Sequence, residues 1–283
     1  MINLDRSPGR LEWFMGQVAH MDLDVVRVSA VDAKRIPEQD VERLRQLSSG
    51  VNSMSPAEIA CLQSHRKAWQ MIADGDDEWG FVAEDDIHLS ADAANFFKSD
   101  RWIPANAEVI RAETDLGRAE LSYRNWGKPL GHELRQLKSA QLGAAGYFLS
   151  KMTAVRVLEH TSRHVEPADV ILFSSIGGLL TEMQVLQMLP ALCVQDMWAP
   201  GGALGGPLTS QIDDDRRRFH RHDPRSARRK GTAKLVYEVA RIGRQFAKPF
   251  RMAMLVAVGR SVFKRVEIET LVNAGPLPSG RAS

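Results

Sequence analysis

The chain has 283 residues, 44% of them hydrophobic, and a formal net charge of +2. That length and apolar content allow one large domain with an appendage. Two cysteines, Cys61 and Cys193, give no disulfide framework or thiolate metal cluster. The apolar run from Met252 to Val258 is far shorter than the roughly 20 residues of a membrane-spanning helix. The opening "MINLDR" lacks a basic start followed by an apolar stretch, so no secretory leader is expected.

In chain order, "MINLD" reads as a short strand. Ser7 followed by Pro8 predicts a helix start, with Leu11, Phe14, Met15 and Val18 at helical spacing. "DVVRVSAVDA" alternates into a second strand. "SMSPAEIACLQSHRKAWQMIADG" predicts a helix with Ser55 as its cap, Pro56 at its first position and Glu58 completing a capping box. "WGFVA" is the next strand, followed by a helix around Ala91 to Lys98 and a strand at Glu108 to Arg111. Residues 115–138 are polar and weakly patterned and read as a long loop. "AGYFLSKMTAVRVLEHT" is a strand running into a helix. "PADVILFSSIG" and "PALCVQD" are further strand or loop candidates. This alternation predicts an α/β sheet covered on both faces.

The small net charge conceals an asymmetry. Residues 216–265 carry 16 of the 37 Lys and Arg but 2 of the 35 Asp and Glu, so that stretch holds +14 and the remainder −12. Leu235, Val239, Ile242, Phe246 and Phe250 mark one face of an expected basic amphipathic helix, broken at Pro249. The division expected is therefore a body over residues 1–212 and a basic helical extension over 213–283. An anionic membrane surface suits the extension best. Packing on the acidic body is the competing reading, and nucleic acid is not expected as a partner.

"WGFVAEDDIHLS" sets three carboxylates directly after an apolar strand, where ligands of open α/β sheets gather. Such a cluster repels itself unless a positive group sits among its members. In extended chain Glu84 and Asp86 point to the same side, a hard oxygen pair suited to Mg²⁺ or Mn²⁺. A solvated acidic turn is the bland alternative. His88 shares the side of Asp86 but reads as a surface histidine. Trp69 and Trp79 read as core. Trp126 and Trp198 lie in expected loops and are candidates for stacking on a sugar.

"INLDRSPGR", "VSAVDA", "SPAEIACLQSHRKAW", "FVAEDDIHLS" and "GAAGYFLSKMTAVRVL" together resemble glycosyltransferase family 25 in order and spacing, from Ile2 to about Gln195. The resemblance implies a GT-A-like nucleotide-diphospho-sugar transferase fold, a Rossmann-like mixed sheet flanked by helices. It implies a UDP-sugar donor, a divalent cation (Mn²⁺ or Mg²⁺), and hexose transfer in lipopolysaccharide or lipooligosaccharide synthesis. Galactose is the expected sugar, and the expected acceptor is a saccharide or lipid-linked saccharide. The cytoplasmic side of a membrane is the expected location. Carried over by position, Glu84 and Asp86 hold the metal. Asn3, Leu4, Arg6, Asp32, Glu58, Ser64, His65 and Asp85 shape the nucleotide-sugar site. Asp169 in "PADVILF" matches the acidic residue after the small-residue strand Gly143–Tyr147.

Direct displacement at the anomeric carbon inverts its configuration and needs a base for the acceptor hydroxyl. Asp169 is the preferred candidate, with Glu113 and Asp115 behind it. Arg6 or Arg10 could clamp phosphate. Two rival readings are a metal-dependent phosphoryl-transfer enzyme and a catalytically degenerate protein that binds membrane or a partner.

Overall fold

The computed structural model describes residues 1–48, 54–200, 208 and 260–272. In chain order they form β1 (Ile2–Asn3), α1 (Pro8–Val18), β2 (Val28–Ser29), α2 (Glu38–Gln46), α3 (Pro56–Asp74), β3 (Trp79–Ala83), β4 (Ile87–Leu89) and α4 (Ala93–Phe97). There follow β5 (Val109–Arg111), β6 (Glu113–Thr114), β7 (Arg118–Gly127), β8 (Glu133–Leu137), β9 (Gly146–Ser150), α5 (Lys151–His160), α6 (Ala168–Phe173), β10 (Val185–Leu189), β11 (Cys193–Gln195) and β12 (Ser261–Arg265).

The main sheet has seven strands in the order β12-β7-β8-β10-β5-β9-β3. It is mixed: β10 and β5 run parallel, and the other neighbours are antiparallel. A parallel pair β1-β2 meets the end of β3 through a bridge between Ile2 and Glu84. A three-stranded sheet, β4-β11-β6, continues beyond it.

Both faces of the main sheet are covered, as the sequence pattern predicts. The period of two sends alternate residues to opposite sides. Val109, Tyr147, Leu149 and Val185 pack with Ile59, Leu62 and Trp69 of α3, Val157 of α5 and Ile171 of α6. Ile110, Phe148, Leu186 and Met188 pack with Phe14 and Val18 of α1 and Phe96 of α4. Fully buried large side chains such as Trp69 each stabilise the fold by about 1.5–3 kcal/mol.

Helix α3 carries the expected capping box. Ser55 Oγ accepts from Glu58 N (3.2 Å), and Ser55 N donates to Glu58 Oε2 (2.8 Å). Such a cap contributes about 1 kcal/mol. In α1, Pro8 takes the first position, but the Ser7 side chain makes no capping bond. The turn is tied instead by Ser7 N donating to Leu4 O (2.9 Å) and Asn3 Nδ2 to Ser7 O (3.1 Å).

Two segments differ from the sequence reading. Residues 118–137, read as a loop, form the antiparallel hairpin β7-β8, with irregular register after Leu121. Ala119 and Leu121 pack into the core on one face, while Glu120 and Ser122 are buried on the other, where Ser261 Oγ donates to Glu120 Oε1 (3.0 Å). "PADVILF", read as strand or loop, is α6. Pro167 precedes it and Asp169 sits in its first turn, both favourable at a helix start.

Of the expected basic extension, residues 260–272 are described, and the amphipathic stretch lies outside the described residues. Ser261–Arg265 forms the edge strand β12, paired with β7. The chain then runs along the body, with Ala191 N donating to Glu267 O (2.8 Å), Ala91 N to Thr270 O (2.8 Å) and Val272 N to Leu89 O (2.8 Å). No helix among the described residues is long and apolar enough to cross a membrane.

Candidate active site

A cavity of about 210 Å³ opens where β1, the end of β3, the first turns of α3 and the start of α6 converge. Ten residues named from the sequence line it beside Arg10: Asn3, Leu4, Arg6, Glu58, Ser64, His65, Glu84, Asp85, Asp86 and Asp169. Asp32 and Glu113 do not. A larger cleft of about 600 Å³, lined mainly by apolar side chains including Phe14, Trp79, Phe97 and Phe148, contains none of these residues.

The positive group within the acidic cluster is Arg10. Its guanidinium reaches from α1 to Asp85 Oδ1 (3.1 Å) and lies against Asp86 Oδ2. Its side chain is 11% exposed. Asn3 Nδ2 donates to Asp85 Oδ2 (2.7 Å), and Arg27 Nε donates to Asn3 Oδ1 (3.0 Å). Asp85 is thereby held by β1 and α1.

Glu84 and Asp86 converge across a turn at Asp85–Asp86 rather than along extended chain. Gln195 Nε2 at the end of β11 donates to Glu84 Oε2 (3.2 Å) and lies 3.5 Å from Asp86 Oδ1. Burial pushes the Asp86 carboxyl up to about 7; Arg10 opposes the shift, while Glu84 and Asp85 add to it. Burial also acts upward on Glu84, but the hydrogen bond and charge of His65, with the charge of Arg10, hold it below its ordinary value.

Behind Glu84 runs a buried relay that sequence reasoning missed. Trp69 Nε1 donates to Tyr147 Oη (2.7 Å), which lies 2.8 Å from His65 Nδ1; His65 Nε2 lies 3.2 Å from Glu84 Oε1. The indole is a donor only. The Tyr147 hydroxyl therefore accepts from Trp69, and Glu84 as a carboxylate can only accept. That leaves the proton on His65 Nε2, directed at Glu84, an assignment made from the network. Cys61 completes a group with His65 and Glu84 whose donor atoms all lie within 4.8 Å of one another.

Several named residues serve local structure first. Ser64 Oγ donates to Ala60 O (2.7 Å) and accepts from Val31 N (2.8 Å), which fixes the chain after β2 against α3. Asp32 accepts from Arg6 Nε (2.9 Å) and Lys34 N (3.1 Å). Asp169 Oδ2 accepts from Gly143 N (3.1 Å), and Gly143 takes φ +100°, a left-handed conformation that favours glycine. Gly146 permits a close approach: a Cβ there would lie 2.1 Å from Cys193 Sγ.

Glu113 is buried behind this wall and accepts from Ala145 N (2.8 Å). Asp115 accepts from Gly117 N (2.8 Å) in a turn. His88 is buried, not superficial, with Nε2 2.9 Å from Asp196 Oδ1. Trp126 belongs to strand β7 rather than a loop, and the Arg124 guanidinium lies 4.4 Å from its ring centroid. Trp198 is 45% exposed beside Met197, which lines the cavity.

Burial pushes Glu113 up to about 7, with Arg111 and the Ala145 hydrogen bond opposing it. The folded state therefore binds this proton more tightly than the unfolded chain does. Its effect is absent below about pH 4.5, grows as pH rises, and is complete above about pH 7, where ionised Glu113 costs on the order of 3 kcal/mol. Glu113→Gln should consequently exceed wild type in stability by more at pH 8 than at pH 5. Denaturant midpoints at the two pH values check this; an unchanged difference would refute it.

A family model described as glycosyltransferase family 25 (LPS biosynthesis protein) matches residues 1–172. The chain belongs to glycosyltransferase family 25. Among curated relatives of this family 25 protein, the lacto-N-neotetraose biosynthesis glycosyltransferase LgtE of Neisseria meningitidis serogroup B is 28% identical over 207 residues, 66% of this chain and 71% of its own length. The lipooligosaccharide biosynthesis protein lic2B of Haemophilus influenzae is 26% identical over 152 residues, 50% of this chain and 55% of its own. The lipooligosaccharide biosynthesis protein lex-1 of the same species is 26% identical over 189 residues, 63% and 59%. The chain thus spans between about half and seven-tenths of these relatives. The family match covers β1 through α5 and most of α6, and so includes every carboxylate of the cavity.

Proposed function

We propose that this family 25 protein transfers a hexose, galactose by preference, from a UDP-sugar to a saccharide acceptor in lipopolysaccharide or lipooligosaccharide synthesis, with inversion at the anomeric carbon. The observation that carries the reading is the gathering of ten separately named residues around one cavity. The names of LgtE, lic2B and lex-1 support the same pathway class.

The residues present fit a divalent cation. Glu84 Oε2 and Asp86 Oδ1 approach one amide nitrogen of Gln195. Three carboxylates against the single charge of Arg10 leave a formal −2 that Mn²⁺ or Mg²⁺ would balance. Glu84 and Asp86 would hold the ion, which when bound supplies Lewis-acid neutralisation of a departing diphosphate.

The chain's own groups do the rest. Arg6 at the cavity wall offers a guanidinium to phosphate oxygens. The His65 Nε2 proton fixes the orientation of Glu84. Asp169 lines the same cavity on the rigid start of α6 and would accept the proton of the attacking hydroxyl. Glu113, held behind Gly143 and Ala145, is better suited to support that wall than to meet an acceptor. The basic run 216–265 would keep the enzyme at an anionic, cytoplasm-facing membrane surface where lipid-linked acceptors lie.

Calorimetric titration of UDP, UDP-galactose and UDP-glucose, with and without Mn²⁺, tests the reading. Binding should require Mn²⁺ and disappear in Asp86→Ala. Mn²⁺ affinity should fall as pH drops through about 7, because a proton then competes for Asp86. Binding of UDP that ignores both Mn²⁺ and the substitution would overturn the donor site. Phosphate release without sugar transfer would favour a phosphoryl-transfer enzyme.

A further inference from the structure

A second group of metal-binding side chains lies apart from the cavity. Asp92, His132 and Glu269 place one donor atom each within 4.8 Å of one another, and none of the three lines the donor cavity. They come from distant parts of the chain: the residue before α4, the turn between β7 and β8, and the segment after β12.

The imidazole of His132 is the informative member. It is 1% exposed, and Phe96 meets it edge-on at 4.7 Å, which fixes its plane. Its Nδ1 lies 2.7 Å from the carbonyl oxygen of Pro190, and its Nε2 faces Asp92 Oδ2. A carbonyl can only accept, so Nδ1 carries a proton. In neutral imidazole Nε2 then has only a lone pair, and it points at a carboxylate. Two electron-rich atoms face each other and require a cation between them, either a second proton or a metal ion. The carbonyl contact on Nδ1 is the outer support usual for a metal-bound histidine. Asp92 is supported likewise, since Ser90 Oγ donates to its Oδ1 (2.6 Å). Glu269 is exposed and brings a third donor from the solvent side.

We propose that Asp92, His132 and Glu269 form a binding site for a divalent transition-metal ion, Zn²⁺ by donor type, separate from the donor cavity. One nitrogen and two carboxylates with an open solvent side suit zinc, with water completing the tetrahedron. The ion ties the returning segment 266–272 to the hairpin turn and to the start of α4. Its role is structural, and it does not depend on the proposed sugar transfer.

Zinc retained after dialysis of the full chain against zinc-free buffer is the direct test. Cys61→Ser serves as the background, which removes the thiol beside His65. One tightly held ion is expected, with a shell of nitrogen and oxygen at about 2.0–2.1 Å and no sulfur in X-ray absorption. Glu269→Gln, at an exposed position, should weaken zinc at least tenfold while Mn²⁺-dependent UDP binding stays unchanged. No retained zinc would overturn the proposal and assign the second cation on His132 to a proton. Zinc retained equally by Glu269→Gln and by Asp92→Asn would overturn it too, by placing the ion elsewhere.

Discussion

Glu84→Gln is expected to lower sugar transfer by about 100-fold or more while the protein stays folded. The substitution preserves length and shape, and the new amide oxygen can still accept from His65 Nε2. What disappears is the charge. It is the charge that lets Glu84 face His65 and Gln195 with one oxygen each, at 3.2 Å in both cases. A glutamine has a single acceptor oxygen, so its NH₂ is turned against one of these two donors. That mismatch costs on the order of 1–3 kcal/mol of stability, a midpoint shift of a few degrees for a chain of this size. A much larger loss of turnover would therefore report the lost carboxylate. Steady-state rates with UDP-galactose, read beside thermal midpoints, separate the two effects. Turnover within a few-fold of wild type would remove Glu84 from the proposed metal pair.

Arg111→Met should instead unfold the site from behind. Arg111 is fully buried, and its guanidinium donates to Glu113 O (2.7 Å), Leu142 O (2.9 Å) and Gln187 Oε1 (3.1 Å). Its Nη2 also lies 3.8 Å from Glu113 Oε2. Methionine fills a comparable volume but removes the donor to Leu142 O and Gln187 Oε1 and leaves Glu113 without a counter-charge, although Gln187 Nε2 still donates to Glu113 O (3.1 Å). Breaking a buried pair in this way costs about 3–5 kcal/mol, a fall in thermal midpoint on the order of 10 °C. The double substitution with Glu113→Gln should recover part of the loss, because the orphaned carboxylate is then gone. A single variant as stable as wild type would show that the arginine contributes no net stability. Gly143 and Ala144 line the cavity on the other side of this network, so UDP binding should weaken together with stability.

The sequence was most informative where the physics is local. The α3 cap depends on Ser55 and Glu58 only three residues apart, and their bonds form as the spacing predicts. Glu84 and Asp86 come together as expected, but through a turn at Asp85–Asp86 rather than extended chain, and Gln195 reaches both. Trp69 read as core and is fully buried. The misses are tertiary. Nothing in "SPGRLEW" says that Arg10 will lie between Asp85 and Asp86, some 75 positions later. The hairpin β7-β8 escaped because only Ala119 and Leu121 of β7 enter the core cluster, while buried Glu120 finds its partner Ser261 far away in sequence. Helix α6 escaped because six residues ending in the apolar run Val170–Phe173 have no distinguishable period. Tyr147 appeared only as the end of a small-residue strand, and its bond to His65 spans 82 positions.

The position of β12 changes what the charge-rich run can be. The last five residues of that run are β12 itself, with five residue pairs holding it to β7. The other basic residues are therefore followed in the chain by a strand of the main sheet. Cutting the chain at residue 213 would discard an edge strand along with the charges and leave the β7 backbone open to pairing with a neighbouring molecule. Removing residues 213–259 alone would take away most of the charges while keeping the sheet's own edge.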